Sequence, residues 1–378
     1  MQTKRACRHT VSAPPFVLKI DMSSYFSKKF SGLVPYTPGE QPRDMQYIKL
    51  NTNESPYPPS PGVLKAVQEE AGLLQLYSDP TCKVLSEKLS ALYGVSPSQV
   101  IMTNGSDEAL YFAFMAFADE ERPLRFADIT YGFYSVFADL LGIPYTAIPL
   151  KDDFTIDPTD YYSEEGRGQT VVIANPNAPT GICLSLGQIE DILLHNRGNV
   201  VIVDEAYVDF GGESAVSLID RYENLLGTQT FSKSRSMAGA RLGFAIGNED
   251  LISDLHTLRY STNPYNVNRM TAAAGHAALC DNEYYMDHCR TIMENRAYTT
   301  EALRDLGFEV LPSLTNFVFA KTERIGGEAL YLELKRRGIL VRHFGKAEIT
   351  DYNRITIGTR EQMEAFISTV KTILEELS

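Results

Sequence analysis

The sequence predicts an α/β protein with a mainly parallel sheet covered by helices on both faces, followed by a smaller α+β unit. Short runs of continuous apolar residues, such as 100–103, 170–174 and 200–203, alternate with helical patterns. Strands of this kind are typical of parallel sheets, because both of their faces are buried. Beyond Asn248 long helical patterns dominate, which indicates the second unit. A chain of 378 residues is long enough for both units.

The N-terminal part of the chain is expected to contribute little core. Residues 1–21 are interpreted as a poorly ordered extension, arising from an upstream start codon, and a regular sequence begins at Met22. Residues 22–61 are rich in Pro, Gly, Tyr and Asn, which predicts an extended arm. The domains are therefore expected to be 1–48 (extension and arm, packing on the small domain or a partner subunit), 49–265 (large domain) and 266–378 (small C-terminal domain).

The remaining elements follow from apolar periodicity and from helix stop signals such as Gly94. Strands are predicted at 100–103, 124–129, 145–150, 170–174, 200–203, 225–226, 242–246, 308–311, 316–320, 339–344 and 354–358. Helices are predicted at 63–74, 82–93, 109–118, 131–141, 186–195, 250–259, 267–278, 283–306, 327–337 and 361–377.

Charge and cysteine content limit the classes of partner. The formal net charge of −13 argues against nucleic acid and anionic membranes, since both require a basic surface. No apolar run approaches the roughly 20 residues of a membrane span. Residues 11–20 contain Pro14, Pro15 and Lys19, so they lack the apolar core of a secretory signal. Five scattered cysteines are typical of reduced thiols. A cytoplasmic protein is therefore expected.

Two His/Cys pairs in the sequence are candidate metal ligands. His276 and Cys280 are one helical turn apart, and His288 precedes Cys289. Tetrahedral zinc sites have tighter ligand spacing than this. No metal site is predicted.

Polar residues follow several of the predicted strands directly. Ligands of open α/β sheets bind beyond the carboxyl ends of the strands, so these residues are expected to share one site. Each of these residues also has a purely structural interpretation. Ser106 or Asp107 could simply cap a helix, Tyr131 could be an ordinary half-buried aromatic, and residues 179–181 could simply form a turn. Their joint position favours a function. The residues are 104–108, Tyr131, 175–181, Asp204, Tyr207, Ser232 and Lys233.

Lys233 lies in a loop between two apolar strands and has two interpretations. It could be a solvated surface lysine. Alternatively, an amine in a partly dry pocket has a lowered pKa and can form a Schiff base with a carbonyl cofactor. The stretch 230–241 alone leaves both interpretations open.

The strand-end residues contain what a pyridoxal phosphate enzyme requires. Asp204 is placed to keep a pyridine nitrogen protonated, so that the ring withdraws electrons. A turn before a helix presents backbone amides to a phosphate. Tyr131 is available to stack on the ring, and Tyr207 to donate to its phenolate oxygen. The predicted phosphate anchors are Gly105, Ser106, Asp107, Ser232 and Arg241.

From about Met22 onward the sequence resembles the fold-type I pyridoxal-phosphate aminotransferases, and within that group it is most similar to the histidinol-phosphate aminotransferases. The motifs that carry this resemblance occur in matching order. They are 33–36 (LVPY), 50–57 (LNTNESPY), 77–80 (YSDP), 104–108 (NGSDE), 131–134 (YGFY), 175–181 (NPNAPTG), 204–207 (DEAY), 232–241 (SKSRSMAGAR), 341–342 (VR) and 354–358 (RITIG).

The resemblance implies a fold-type I transferase, in which a mainly parallel seven-stranded sheet is sandwiched by helices and a small α+β domain follows. It also implies residue roles. Lys233 would hold the cofactor and move the α-proton. Arg354 would bind the substrate carboxylate or the phosphate of histidinol phosphate, and Arg342 would be a second phosphate-binding arginine. Tyr207 and Asn177 are expected near the phenolate oxygen. The further implied contacts are Tyr77 from the partner subunit on the cofactor phosphate, and Tyr36 (also from the partner), Asn53 and Tyr57 around the substrate.

The implied function is transamination from histidinol phosphate to 2-oxoglutarate, giving imidazole acetol phosphate and glutamate in histidine biosynthesis, by a homodimer with shared active sites. An aromatic amino-acid aminotransferase or a threonine-phosphate decarboxylase of the same fold remains an alternative. A nucleotide-binding or dehydrogenase protein is disfavoured, because no GxGxxG or GxxxxGK[ST] motif is present. A regulatory module that binds the cofactor without turnover is a third alternative, which Lys233 argues against.

One position departs from the family pattern and generates a prediction. The family usually has an asparagine before Pro-Thr-Gly that donates to the phenolate oxygen, whereas this chain has Ala178, with Asn177 one residue earlier. Either Asn177 turns toward that oxygen or Tyr207 holds it alone. With one donor fewer, we expect the pKa of the Schiff base on Lys233 to be raised relative to family members with the asparagine. A spectroscopic pH titration that shows no difference would contradict this.

Overall fold

The computed structural model describes residues 23–163 and 168–377, so the predicted extension at residues 1–21 and Met22 itself lie outside the described residues. Each predicted helix and strand corresponds to an observed element, with shifts of a few residues at the ends. The strands are β1 (Ile48–Lys49), β2 (Val100–Thr103), β3 (Leu124–Ala127), β4 (Tyr145–Ile148), β5 (Thr170–Ala174), β6 (Val201–Asp204), β7 (Leu225–Thr230), β8 (Gly243–Gly247), β9 (Glu309–Val310), β10 (Phe317–Lys321), β11 (Ile339–Leu340), β12 (Arg342–His343) and β13 (Asn353–Thr356).

The helices begin at capping residues in several places, for example Ser60, Ser185 and Thr359, whose side chains accept from backbone amides of the first turn. The helices are α1 (Pro61–Ala71), α2 (Lys83–Tyr93), α3 (Ser106–Phe117), α4 (Phe133–Leu141), α5 (Leu186–Leu194), α6 (Glu249–Thr262), α7 (Arg269–Cys280), α8 (Asn282–Asp305), α9 (Gly327–Arg336) and α10 (Arg360–Glu376).

The large sheet has seven strands in the order β2-β8-β7-β6-β5-β3-β4. Strand β8 is antiparallel to β2 and β7, and the other pairs are parallel, which confirms the predicted mainly parallel sheet. At the carboxyl end of β6, Asp204 lies opposite Ala174 of β5 and Thr228 of β7. The loops that follow these central strands therefore open onto one edge of the sheet.

Alternate residues of the central strands pack on opposite faces of the sheet, as the two-residue period of a strand requires. Val171 and Ile173 belong to a core with α2, α5 and α7, whereas Val172 belongs to a core with α3, α4 and α6. Both faces are thus covered by helices. The continuous apolar character of the strands in the sequence follows from this arrangement.

The small domain contains an antiparallel sheet in the order β12-β13-β10-β9, which packs against α8, α9 and α10. Its boundaries differ from the expected ones. Helix α7 packs on α1 and α2 in the core of the large domain, so the change of domain falls within α8 rather than at residue 266. Strand β1 pairs with β11, and Leu50 is buried in the small-domain core. The chain therefore contributes to the small domain before it enters the large one.

The arm of residues 33–40 connects the two domains. Glu40 accepts hydrogen bonds from Tyr331 and Lys335 of α9. The ring of Tyr36 lies 4.5 Å from that of Phe133 at the start of α4. The arm thus packs on the small domain and also reaches the carboxyl edge of the large sheet.

Candidate active site

A cavity of about 190 Å³ opens at the carboxyl edge of the large sheet, beside the loops that follow its strands. Most of the polar residues predicted from strand ends line it. Its wall also includes two residues from the segment after β1, Thr52 and Glu54. The predicted residues in the wall are Ser106, Asp107, Tyr131, Asp204, Tyr207, Ser232, Lys233 and Arg241.

Asp204 supplies a buried carboxylate at the end of β6, where only 5% of the residue is exposed. Tyr134 Oη donates to its Oδ2 at 2.7 Å, whereas Oδ1 has no hydrogen-bond partner among the described residues. Burial raises the pKa of Asp204 to about 6, although the Tyr134 hydrogen bond opposes this. A cationic N–H donor in the cavity would satisfy Oδ1 and favour the ionised carboxylate.

Lys233 follows β7 and points into the cavity. Its Nζ donates to the backbone oxygen of Thr52 at 3.2 Å and lies 5.8 Å from the ring centre of Tyr207. Burial, followed by the charge of Arg354, lowers the pKa of Lys233 to about 8. Lys233 is thus a cavity lysine rather than a solvated surface lysine, and its pKa suits proton transfer near neutral pH.

The start of α3 forms an anion cradle. No capping side chain accepts from the amides of its first turn, and unpaired amides at a helix N-terminus suit an anion. Gly105 has a φ of +82°, and a Cβ there would lie 2.6 Å from a guanidinium nitrogen of Arg241. Glycine is therefore required both for the backbone conformation and for the approach of Arg241.

Asp107 orients two other residues of the cavity. Its carboxylate pairs with Arg241 at 3.0 Å and accepts from Tyr131 Oη at 2.8 Å. The ring of Tyr131 is further held edge-to-face against Tyr134, with 5.6 Å between ring centres. Asp107 thus acts on the cradle through its neighbours, since a carboxylate itself repels a phosphate.

Ala178 stands where the family usually has an asparagine, so Tyr207 and Asn177 are the candidate donors that remain. Ala178 lines the cavity, and Asn177 does not. The side chain of Asn177 donates to Ile129 O at 2.9 Å and to Thr180 Oγ1 at 3.0 Å, and accepts from Thr130 Oγ1 at 2.7 Å. Turning it toward the cavity would break all three bonds. The expectation that Asn177 contacts the cofactor is therefore not met by this geometry.

Arg342 and Arg354 lie outside the cavity wall but are direct partners in the register of β12 and β13. Arg354 donates to Asn51 O at 3.1 Å, and its Nε has no partner among the described residues. Burial and then the charge of Arg342 lower the pKa of Arg354, with Tyr207 opposing. Arg342 donates to the backbone oxygens of Thr37 and Pro38 in the arm. Two adjacent guanidinium groups of this kind suit an anionic substrate.

The other predicted substrate and partner residues occupy different places. Tyr36 packs near the Tyr131 of its own chain, at 6.4 Å between ring centres, whereas it was expected from the partner. Asn53 reaches Tyr207, its Nδ2 donating to the hydroxyl at 2.8 Å. Tyr57 stacks on His288 and Tyr77 stacks on Tyr265, both away from this cavity.

Two residues of the cavity wall, Thr52 and Glu54, have no role predicted from the sequence, and neither has Tyr134, which donates to Asp204. Glu54 belongs to the NES segment, and Tyr134 is the second tyrosine of YGFY. The spacing of Tyr134 from Tyr131 places both tyrosines near one face at the start of α4, which was the available signal.

Comparison with known proteins decides the family. Residues 45–370 match the family model described as aminotransferase class I and II. The chain belongs to this aminotransferase family.

Relatives with curated functions cover almost the whole aminotransferase chain. It is 49% identical to the histidinol-phosphate aminotransferase of Brachyspira hyodysenteriae, over 94% of this chain and 100% of that protein. It is 50% identical to the enzyme of the same name from Marinomonas sp., over 93% of this chain and 100% of that protein.

Solved structures support the same fold. A putative histidinol-phosphate aminotransferase from Erwinia carotovora atroseptica superposes with a TM-score of 0.81 and 27% identity, covering 87% of this chain and 96% of its own. The histidinol-phosphate aminotransferase of Sinorhizobium meliloti, in complex with pyridoxal-5'-phosphate, superposes with a TM-score of 0.84 and 24% identity, covering 95% and 100%. These likenesses confirm the predicted fold class.

The cavity of the aminotransferase fits the cofactor that the sequence predicts. Asp204 Oδ1 is a buried acceptor that no described residue donates to, as a protonated ring nitrogen requires. The uncapped start of α3 and Arg241 offer donors to a phosphate. Lys233 supplies an amine in the same wall. Within the described ranges, no group of three or more His, Cys, Asp or Glu side chains is arranged to hold a metal ion.

The hydrogen bond from Tyr134 to Asp204 generates a testable prediction. Tyr134→Phe removes this donor, so the pKa of Asp204 rises and the carboxylate binds the protonated ring less tightly. We expect pyridoxal phosphate affinity to fall about tenfold, which corresponds to roughly 1.5 kcal/mol for a hydrogen bond to a charged group. Equilibrium dialysis of the cofactor measures the effect.

Tyr161→Phe is the matched control, because Tyr161 is equally buried and its hydroxyl has no partner among the described residues. It should leave cofactor affinity unchanged. Equal affinities for the Tyr134→Phe variant and the unmodified protein would contradict the role given to Tyr134.

Proposed function

We propose that this aminotransferase transfers the amino group of histidinol phosphate to 2-oxoglutarate, with pyridoxal 5'-phosphate as its cofactor. The observation that carries the proposal is the identity of about one half to histidinol-phosphate aminotransferases over nearly the whole chain. The neighbouring guanidinium groups of Arg342 and Arg354 support a phosphorylated substrate. The products are imidazole acetol phosphate and glutamate, which places the reaction in histidine biosynthesis.

The residues of the cavity divide the work of binding. When bound, pyridoxal phosphate supplies an electrophilic carbon and a ring that accepts the electron pair left by the α-proton. Asp204 would keep a proton on the ring nitrogen, and Tyr131 would stack on the ring. The amides at the start of α3, with Ser106, Ser232 and Arg241, would hold the phosphate.

Proton transfer is the task of Lys233. Its Nζ would take the proton from the substrate α-carbon and deliver it to the aldehyde carbon of the cofactor. The pKa of Lys233, about 8, is suitable for this transfer. Tyr207, whose hydroxyl accepts from Asn53, would donate to the phenolate oxygen. With Asn177 committed to other partners, Tyr207 would be the donor there, which supports the prediction made from Ala178.

The substrate proposal is tested with a panel of amino donors: histidinol phosphate, phenylalanine, tyrosine, threonine phosphate and glutamate. We expect histidinol phosphate to convert the cofactor to its amino form with the highest kcat/KM. The change in the absorbance of the cofactor measures this conversion. Lys233→Ala should abolish both the absorbance band of the lysine-bound cofactor and turnover, because no other described lysine lines the cavity.

Each competing function has its own signature in this panel. Preference for phenylalanine or tyrosine would indicate an aromatic aminotransferase, and release of carbon dioxide from threonine phosphate would indicate a decarboxylase. Binding of the cofactor without any amino transfer would indicate a regulatory module. Turnover retained in Lys233→Ala would overturn the role of that residue.

We further propose that the enzyme is a homodimer in which Tyr77 reaches the phosphate cradle of the partner subunit. Tyr77 is 79% exposed and does not line the cavity of its own chain. Large apolar side chains within residues 64–84, the part of the sequence that contains Tyr77, are also exposed, and exposed apolar patches mark protein interfaces. They are Leu64, Leu74, Leu76 and Val84. A cytoplasmic location remains a prediction from the sequence.

A mixture of two inactive or impaired variants tests the shared site. In a heterodimer of Lys233→Ala and Tyr77→Phe, one site contains both defects and the other contains neither. After subunit exchange, random pairing should restore about a quarter of the wild-type sites. Activity measured before and after co-refolding reports this recovery.

The control mixes Lys233→Ala with Asp204→Ala, whose defects both lie in the chain's own cavity. Every heterodimer site then carries one defect, so no recovery is expected. Absence of recovery with Tyr77→Phe, or a monomer by analytical ultracentrifugation, would contradict the shared site.

A further inference from the structure

The segment between β1 and α1 makes backbone contacts with both domains at the cavity. Asn51 O accepts from Arg354, Thr52 O accepts from Lys233, and Asn53 O accepts from Asn316 Nδ2 at 2.9 Å. Asn53 has a φ of +55°, in the left-handed region that non-glycine residues rarely adopt. Its backbone N–H and its side chain are both bonded to Thr356, which holds this conformation. Such enforced strain is typical of functional segments.

Glu54 follows directly and faces two cavities. It lines the active-site cavity with Lys233, and it lines a second cavity of about 230 Å³ that also contains Lys49. Lys49 Nζ donates to both of its carboxylate oxygens, at 2.8 and 2.6 Å, and Thr52 Oγ1 donates at 2.8 Å. Although burial opposes ionisation, these bonds and the nearby positive charges hold the pKa of Glu54 below its usual value. Glu54 is therefore an anion at neutral pH.

The charges that face Lys233 come from several elements and have both signs. Arg354 of β13 and Arg241 before β8 disfavour the cationic amine, whereas Glu54 and Asp107 favour it. Asp107 is already paired with Arg241 at 3.0 Å, and Asp204 is bonded to Tyr134. Glu54 is paired with Lys49, on the side of the second cavity.

We propose that Glu54 is a positioning residue that sets the proton affinity of the Lys233 amine, and that Lys49 limits its effect. In each half-reaction Lys233 must be neutral to take a proton and cationic until it returns that proton. A carboxylate without a cationic partner at this position would keep the Lys233 amine protonated. Without any carboxylate there, the amine would be a weak base. The paired carboxylate lies between these limits. This inference rests on the proposed function, since it concerns the amine that moves the α-proton.

The signs of the expected changes follow from electrostatics. A carboxylate stabilises the cationic amine, so Glu54→Gln should lower the pKa of Lys233, by roughly one unit for a nearby charge in a partly screened site. Lys49→Met removes the cation that offsets Glu54, so it should raise the pKa of Lys233. Glu54→Asp keeps the charge and should restore most of the original pKa.

The experiment uses the full-length holoenzyme after an amino donor has converted its cofactor to the amino form, in which the Lys233 amine is free. Lysines are reductively methylated with ¹³C-formaldehyde, and the Lys233 resonance is assigned by its loss in Lys233→Ala. Its chemical shift is then titrated with pH. The acidic limb of the kcat profile should move in the same direction as the resonance.

Glu40→Gln is the matched control. Glu40 also pairs with a lysine, Lys335, and is similarly half-buried, but it does not line the active-site cavity. We expect no change in the pKa of Lys233 in this variant. An unchanged pKa in Glu54→Gln, or an equal decrease in Glu40→Gln, would overturn the proposal.

If Glu54→Gln does not fold, Lys49→Met decides alone. An increase in the pKa of Lys233 supports the proposal, and an unchanged value overturns it. The titration requires a single conversion of the cofactor and no steady-state turnover of histidinol phosphate. Failure of the donor assay and failure of the titration are therefore distinguishable.

Discussion

The buried carboxylate of Asp204 is the constraint on which the site depends. An aspartate at the end of a central strand loses hydration, and the pKa of Asp204 rises to about 6 even though the Tyr134 hydroxyl donates to it. The two-residue alternation of β6 places Val203 in one core and Ile202 in the other, so the strand end is rigid. Tyr134 donates to one oxygen, and the second has no partner among the described residues. If Asp204 pairs with the ring nitrogen as proposed, the packing around β6 would fix where that nitrogen lies.

The segment of residues 50–54 extends this constraint to the small domain. Leu50 is buried in the small-domain core, while Thr52 and Glu54 line the cavity of the large domain. Successive backbone oxygens bind Arg354 and Lys233, so a substrate anion that moves Arg354 also affects the segment that holds the amine. Asn53 follows directly with a left-handed conformation, which its hydrogen bonds to Thr356 of the small domain hold. The proposed substrate-binding residue Arg354 and the amine of Lys233 are therefore held by neighbouring residues of one segment.

The sequence predicted the sheet and most of the cavity for a physical reason. Doubly covered strands require continuous apolar residues, and their ends require polar ones, so both features are visible without coordinates. Packing partners are not visible in this way. The apolar face of α7 is evident from its period, but its contact with α1, some 200 residues earlier, is not. The orientation of Asn177 likewise depends on Ile129 and Thr130, which no local pattern connects to it.

The contacts of Arg342 and Arg354 with other residues do not by themselves show the role proposed for these two side chains. Like charges directly opposite on neighbouring strands are unfavourable, and the charge of Arg342 contributes to the lowered pKa of Arg354. The carbonyl oxygens of Thr37, Pro38 and Asn51 satisfy part of their donor capacity without neutralising either charge. A dianionic phosphate would do both, with charge-assisted bonds that neutral carbonyls cannot match. With the substrate contact proposed for these two arginines, the repulsion between them would favour a phosphorylated donor.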